Sequence, residues 1–216
     1  MKKRIISLAL MVSLIFALIP TTAASAAPNL DTADKWAREG ITSAVEKGFV
    51  PEDLQNNYKN IITRQEFCRM AVKFVEYKTG KTIDDVLKGK GLSKNPNAFS
   101  DTKDPDILAA YALGITSGTA PGIFSPNGQF SREQAATMVR NTVKAYGANV
   151  SNCPNAGFTD IGKASSWAVD SINFCYANGI MSGTSTTTLT FSPQAAYTRE
   201  QSIITFNNID HAGLPR

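Results

Sequence analysis

Three stretches of the chain carry apolar residues at helical spacing. Phe67, Met70, Ala71, Phe74 and Val75 form the first, Ala135, Met138, Val139 and Val143 the second, and Ile203, Phe206 and Ile209 the third. Each set draws one stripe along a helix. Three related stripes are best buried by packing against one another. A different kind of helix is expected ahead of each. In the last of these, Trp167, Ala168, Ile172 and Cys175 recur at helical spacing and read as one apolar face, ended by Gly179. The pattern predicts a mainly α chain built from three helix–loop–helix units.

A short phrase stands at the head of every stripe: Thr63-Arg64-Gln65-Glu66, Ser131-Arg132-Glu133-Gln134 and Thr198-Arg199-Glu200-Gln201. The arginines are 68 and 67 residues apart, which marks an internal repeat. A hydroxyl residue followed three positions later by Glu or Gln is a capping box, in which each side chain satisfies a backbone N–H at the helix start. Around these phrases the expected layout is a leader at 1–26, a first unit with its connector at 27–97, a second at 98–150 and a third at 151–216. The connector from Lys78 to Asn97 allows one short helix begun by Thr82, and Gly147 to Ala156 has little to bury.

Capping does not account for the arginine. Arg64, Arg132 and Arg199 fall at the first helical position, where the helix dipole mildly disfavours a cation, by about 0.3–1 kcal/mol. Free N–H groups at a helix start attract anions, and a guanidinium fork fits carboxylate or phosphate. Two roles follow: contact with an acidic ligand, or a buried ion pair between units. Gly118 and Gly183 suit either turns or close backbone approach. Trp36 and Trp167 suit either packing between units or stacking on a sugar face.

Charge narrows the partners. The net charge is +4, but three of the 22 basic residues lie in the leader. That leaves 19 against 18 acidic ones, too balanced for a nucleic-acid-binding face. The leader has a basic start (Lys2, Lys3, Arg4), an apolar run from Ile5 to about Ile19, and Ala24-Ser25-Ala26 as a cleavage site. It reads as a secretory signal, shorter than the roughly 20 residues of a membrane span, with mature chain from Ala27 and no transmembrane segment. Cys68 reads as core, and Cys153 and Cys175 could pair in an oxidising setting. No cofactor or metal motif occurs; the one histidine is His211.

Taken together, these residues resemble the S-layer homology domains of bacterial surface proteins. The shared features are Phe-x-Asp openings (Phe99/Asp101, Phe158/Asp160), Trp-Ala pairs (Trp36-Ala37, Trp167-Ala168), Gly-Ile-x-Ser-Gly (114–118, 179–183), Phe-Ser-Pro (124–126, 191–193) and the helix-start phrases. The likeness spans roughly residues 30 to 210. It implies three repeats packed as one pseudo-threefold, mainly α domain. It also implies non-covalent anchoring to an acidic, pyruvate-bearing amino-sugar polysaccharide of a Gram-positive-type cell wall. Inter-repeat grooves would do the binding, with Arg64, Arg132 and Arg199 as ligand contacts and Trp36, Trp167, Gly118 and Gly183 as groove residues. Surface-layer proteins are further partners it suggests. The second unit departs from the pattern by lacking Trp-Ala, and the first by lacking the second loop glycine and Phe-x-Pro.

Two other readings stand beside this one. The units could form a scaffold whose grooves bind protein. Alternatively Asp101, Asp104 and Asp106 could act on wall glycan, since paired carboxylates cleave glycosides. No nucleophile or acid–base set beyond that cluster is evident, and the expectation is a binding module without catalysis.

Overall fold

The computed structural model describes residues 28–185 and 187–215; the expected leader lies outside the described residues. Seven α-helices occur among them: α1 (Arg38–Glu46), α2 (Arg64–Thr79), α3 (Ile83–Gly89), α4 (Pro105–Ala112), α5 (Arg132–Ala145), α6 (Val169–Ala177) and α7 (Arg199–His211). None is long and apolar enough to cross a membrane.

Local chemistry sets the helix ends. Thr63, Ser131 and Thr198 are extended N-caps, and all three capping boxes are closed on both sides. Thr82 caps α3 as its sequence suggests. Asp104 caps α4, and Pro105 follows at the first helical position, where its missing N–H is no loss.

The three striped helices α2, α5 and α7 meet at the centre. Phe67 stacks on Phe130 at 4.6 Å and lies 5.2 Å from Phe206, while Phe74 reaches Phe206 at 5.2 Å and Tyr146 at 6.1 Å. Each buried aromatic contributes on the order of 1.5–3 kcal/mol by leaving water, and each ring pair about 0.5–1.5 kcal/mol more. The shorter helices pack outside and out of step. α4 lies on α2, α6 on α5, and α1 on α7. Each unit therefore lays its first helix on the second helix of the unit before it, and α1 against α7 closes the ring.

Trp167 does not share the apolar face expected of it, and Trp36 is likewise turned outward. Trp36 is 58% exposed and Trp167 55%. Trp36 stands in the turn ahead of α1 and Trp167 in a short 3-10 turn (Ser166–Ala168) ahead of α6, so α-helical spacing does not govern their direction. The alanines after them, Ala37 and Ala168, take the buried position. Cys68, Cys153 and Cys175 are all free thiols, Cys153 half-buried and the other two buried.

Candidate functional site: grooves between the units

Two grooves begin with a loop shaped by one carboxylate. Asp101 accepts from the N–H groups of Phe124 (2.9 Å) and Ser125 (2.7 Å). Asp160 does the same for Phe191 and Ser192, both at 2.8 Å. The clamp holds Ser125 and Ser192 at φ 60° and 56°, and Asn57 takes the matching conformation at φ 48°. The first unit therefore keeps the turn with Asn56-Asn57-Tyr58 in place of Phe-Ser-Pro. Asparagine tolerates the left-handed region, which is the signal the sequence did offer. Asp101 is thus committed to the loop, and Asp104 to its helix cap and to Arg69 at 3.0 Å.

The loop of one unit then caps the helix of another. The N–H groups of Arg64 and Gln65 donate to Gly128 O and Pro126 O, those of Arg132 and Glu133 to Ala195 O and Pro193 O, and those of Arg199 and Glu200 to Asn60 O and Tyr58 O. With the capping boxes, this uses up the N–H groups at all three helix starts. The free donors that would draw an anion to the bare helix end are absent there, which corrects that part of the sequence argument.

The arginines lie in the same joints. Arg64, 6% exposed, donates from Nε to Phe124 O (3.0 Å) and from Nη2 to Thr116 Oγ1 (3.3 Å), with its guanidinium over the Phe124 ring. Arg132, 7% exposed, donates to Phe191 O and Ser182 O, both at 2.9 Å, and lies over the rings of Phe191 and Tyr197. Among the described residues no carboxylate is within ion-pair distance of either. Burial pulls the Arg64 guanidinium below its ordinary range, though arginine still keeps its proton. A buried cation compensated only by carbonyls, a hydroxyl and ring faces is costly to hold, and an added anion relieves that. Arg199 is different: it pairs with Glu66 at 2.6 Å. Of the two roles open to the repeated arginine, the ion pair holds at one position and not at the others.

Glu133 and Glu200 were not singled out in the sequence, and they place the tryptophans. Glu133 accepts from the N–H and hydroxyl of Ser165, two residues before Trp167. Glu200 accepts from the N–H of Asp34, two residues before Trp36. At the corresponding position the first unit has Gln65, which turns to Asn127, and the second unit has no tryptophan to hold.

A groove of about 800 Å³ is lined by Arg64, Thr116, Gly118, Gln134, Asn141 and Trp167. The second unit supplies most of the lining, the first adds Arg64 and the third Trp167. Gly118, at φ +85°, lies where a Cβ would stand 2.5 Å from the Ile123 carbonyl; at Gly183 a Cβ would meet Thr190 O at 3.0 Å. Gly118 is thus in the left-handed region, while both glycines admit a backbone that a side chain would push away. Arg64, Gly118 and Trp167 come together here. Arg132 sits in the next joint, whose loop holds Gly183 and where α1, carrying Trp36 ahead of it, packs on α7.

Two segments of this chain, residues 100–136 and 157–201, match the S-layer homology domain. Those two segments are of the S-layer homology kind, and a domain of this kind is a cell-wall anchor. The chain is 23% identical over 88% of its length to the surface-layer 125 kDa protein of Lysinibacillus sphaericus, of which it covers 15%. It is 30% identical over 78% of its length to an endoglucanase of Bacillus sp. (strain KSM-635), covering 16% of that protein. An amylopullulanase of Thermoanaerobacterium thermosulfurigenes is 26% identical over 52% of this chain, which covers 6% of it.

Proposed function

We propose that this chain anchors non-covalently to a bacterial cell wall by binding an acidic secondary polysaccharide, of the pyruvylated amino-sugar type, in grooves between its units. The unit at 27–97 is read as a third S-layer homology repeat, on the strength of its closed capping box and its Asn57 turn. The leader directs export, so the site of action is the surface of a Gram-positive-type cell. The observation that carries the reading is the pair of buried arginines, Arg64 and Arg132, with no carboxylate of the chain's own beside them. The exposed Trp167 shares the first groove and offers an apolar face to a sugar ring. The amino-sugar polymer supplies carboxylate and ring face together. Catalysis is not part of this proposal, since Asp101 and Asp104 are engaged by loop, cap and Arg69.

The test is co-sedimentation with purified wall sacculi before and after extraction of the secondary polymer. Binding that disappears on extraction, and that weakens at least tenfold in Arg64→Ala and Arg132→Ala, is expected. Retention on extracted sacculi with both variants unchanged would turn the reading towards a protein partner.

A further inference from the structure

The third groove is built from Arg199, the loop around Asn56 and the start of α2, and here the chain supplies its own anion. Glu66 Oε2 closes the capping box by accepting from Thr63 N–H at 2.9 Å. Its other oxygen, Oε1, accepts from Arg199 Nη2 at 2.6 Å, with both side chains largely buried. The equivalent residues in the other grooves are Gln134 and Gln201. Each closes its box through Oε1, from Ser131 N–H at 3.2 Å and Thr198 N–H at 3.1 Å. That bond fixes the amide orientation, because only the oxygen can accept. The NH2 group is left pointing away from the box, and among the described residues it has no partner. Beside their arginines, two joints therefore present further N–H donors, while the third presents a carboxylate already spent on its arginine.

Neighbouring contacts agree. Arg199 Nη1 reaches Asn56 O at 3.2 Å, the counterpart of the Phe124 and Phe191 carbonyls, but the residue there brings no ring. Across the same interface Arg69 is taken by Asp104 at 3.0 Å and Asp53 at 3.3 Å. The cations of this joint are matched from within.

We propose that Glu66 is a resident counter-ion that shuts the third groove, so that the chain takes acidic glycan at two grooves, those of Arg64 and Arg132. The identity of the residue at the third position of each striped helix decides this, Gln leaving a groove open and Glu closing it. The inference rests on the glycan reading above. Both residues serve the capping box equally, so exchanging them changes the groove and spares the helix start.

The experiment is isothermal titration of the full chain with a short amino-sugar oligosaccharide carrying a pyruvate ketal, with the pyruvate-free sugar as control and thermal melts alongside. Two sites are expected for the wild type, three for Glu66→Gln and one for Gln134→Glu. The site lost in Gln134→Glu should weaken more than tenfold, and melting temperatures should stay close to wild type. Three sites in the wild type, or two in either variant, would overturn the closure by Glu66 while leaving the glycan reading intact. No binding by the wild type would overturn the glycan reading and this inference with it. If one variant melts far below the wild type, the other decides.

Discussion

Arg132 shows how much one side chain is asked to do. Its planar fork spans two carbonyls, Phe191 O and Ser182 O, and its face covers two rings. A lysine is a point charge on a flexible stem and cannot reproduce that arrangement. Arg132→Lys is therefore expected to lower stability by about 1.5–3 kcal/mol, the loss of roughly one charge-assisted hydrogen bond. Glycan affinity at that groove should fall at least tenfold; thermal melts and titration check the two parts separately. The recurrence of the arginine was legible because it repeats, and the capping box because it is local, spanning four residues. The arginine's surroundings were not legible. Its acceptors lie on another unit's loop, and no spacing within one helix announces them. The same distance hid the fate of the helix-start N–H groups, which the next loop takes.

Among elements, the clamped loops respond to pH. Burial pushes the Asp160 carboxyl up, but the N–H donors of Phe191 and Ser192 outweigh it and hold it below the ordinary range. Asp101 is held down chiefly by the N–H of Phe124 and then that of Ser125. A carboxyl lowered on folding adds stability above its unfolded value, near 3.9, and that stability is lost as pH falls through the lower folded value. The wild type should thus lose melting temperature progressively below about pH 4. Asp160→Asn should melt lower at neutral pH, by on the order of 1–2 kcal/mol of hydrogen bonding, and show a flatter acid limb; melts across that range check both. The Phe-x-Asp pattern was visible in the sequence, but its role as a clamp depends on a loop some thirty residues on. The Asn56-Asn57-Tyr58 turn went unseen because the match is in backbone angle and not in residue type. Trp167 was misplaced for a related reason: a helical period was carried back past the start of α6 at Val169.

For the molecule as a whole, the decisive contact is the one between the first and last helices. Gly40 lies where a Cβ would run into Ile204 Cδ1 on α7. Gly40→Val should wedge this seam and destabilise the chain by about 1–3 kcal/mol through overpacking. Because the ring is shared, far- and near-ultraviolet circular dichroism should still report one coincident transition at the lower temperature; two separated transitions would mean that the units melt alone. Three helical units and a common core could be read from the stripes, whereas the offset pairing of α4 on α2, α6 on α5 and α1 on α7 could not, since no stripe names its partner. That offset has a consequence for inheritance. The main groove takes its arginine from one unit, its loop from the second and its tryptophan from the third, so no unit carries a whole groove. A deletion that drops one copy damages every groove it shared. A single exchange in one copy, such as the Gln65-Glu66 order of the first, alters its neighbours' sites and leaves its own helix sound.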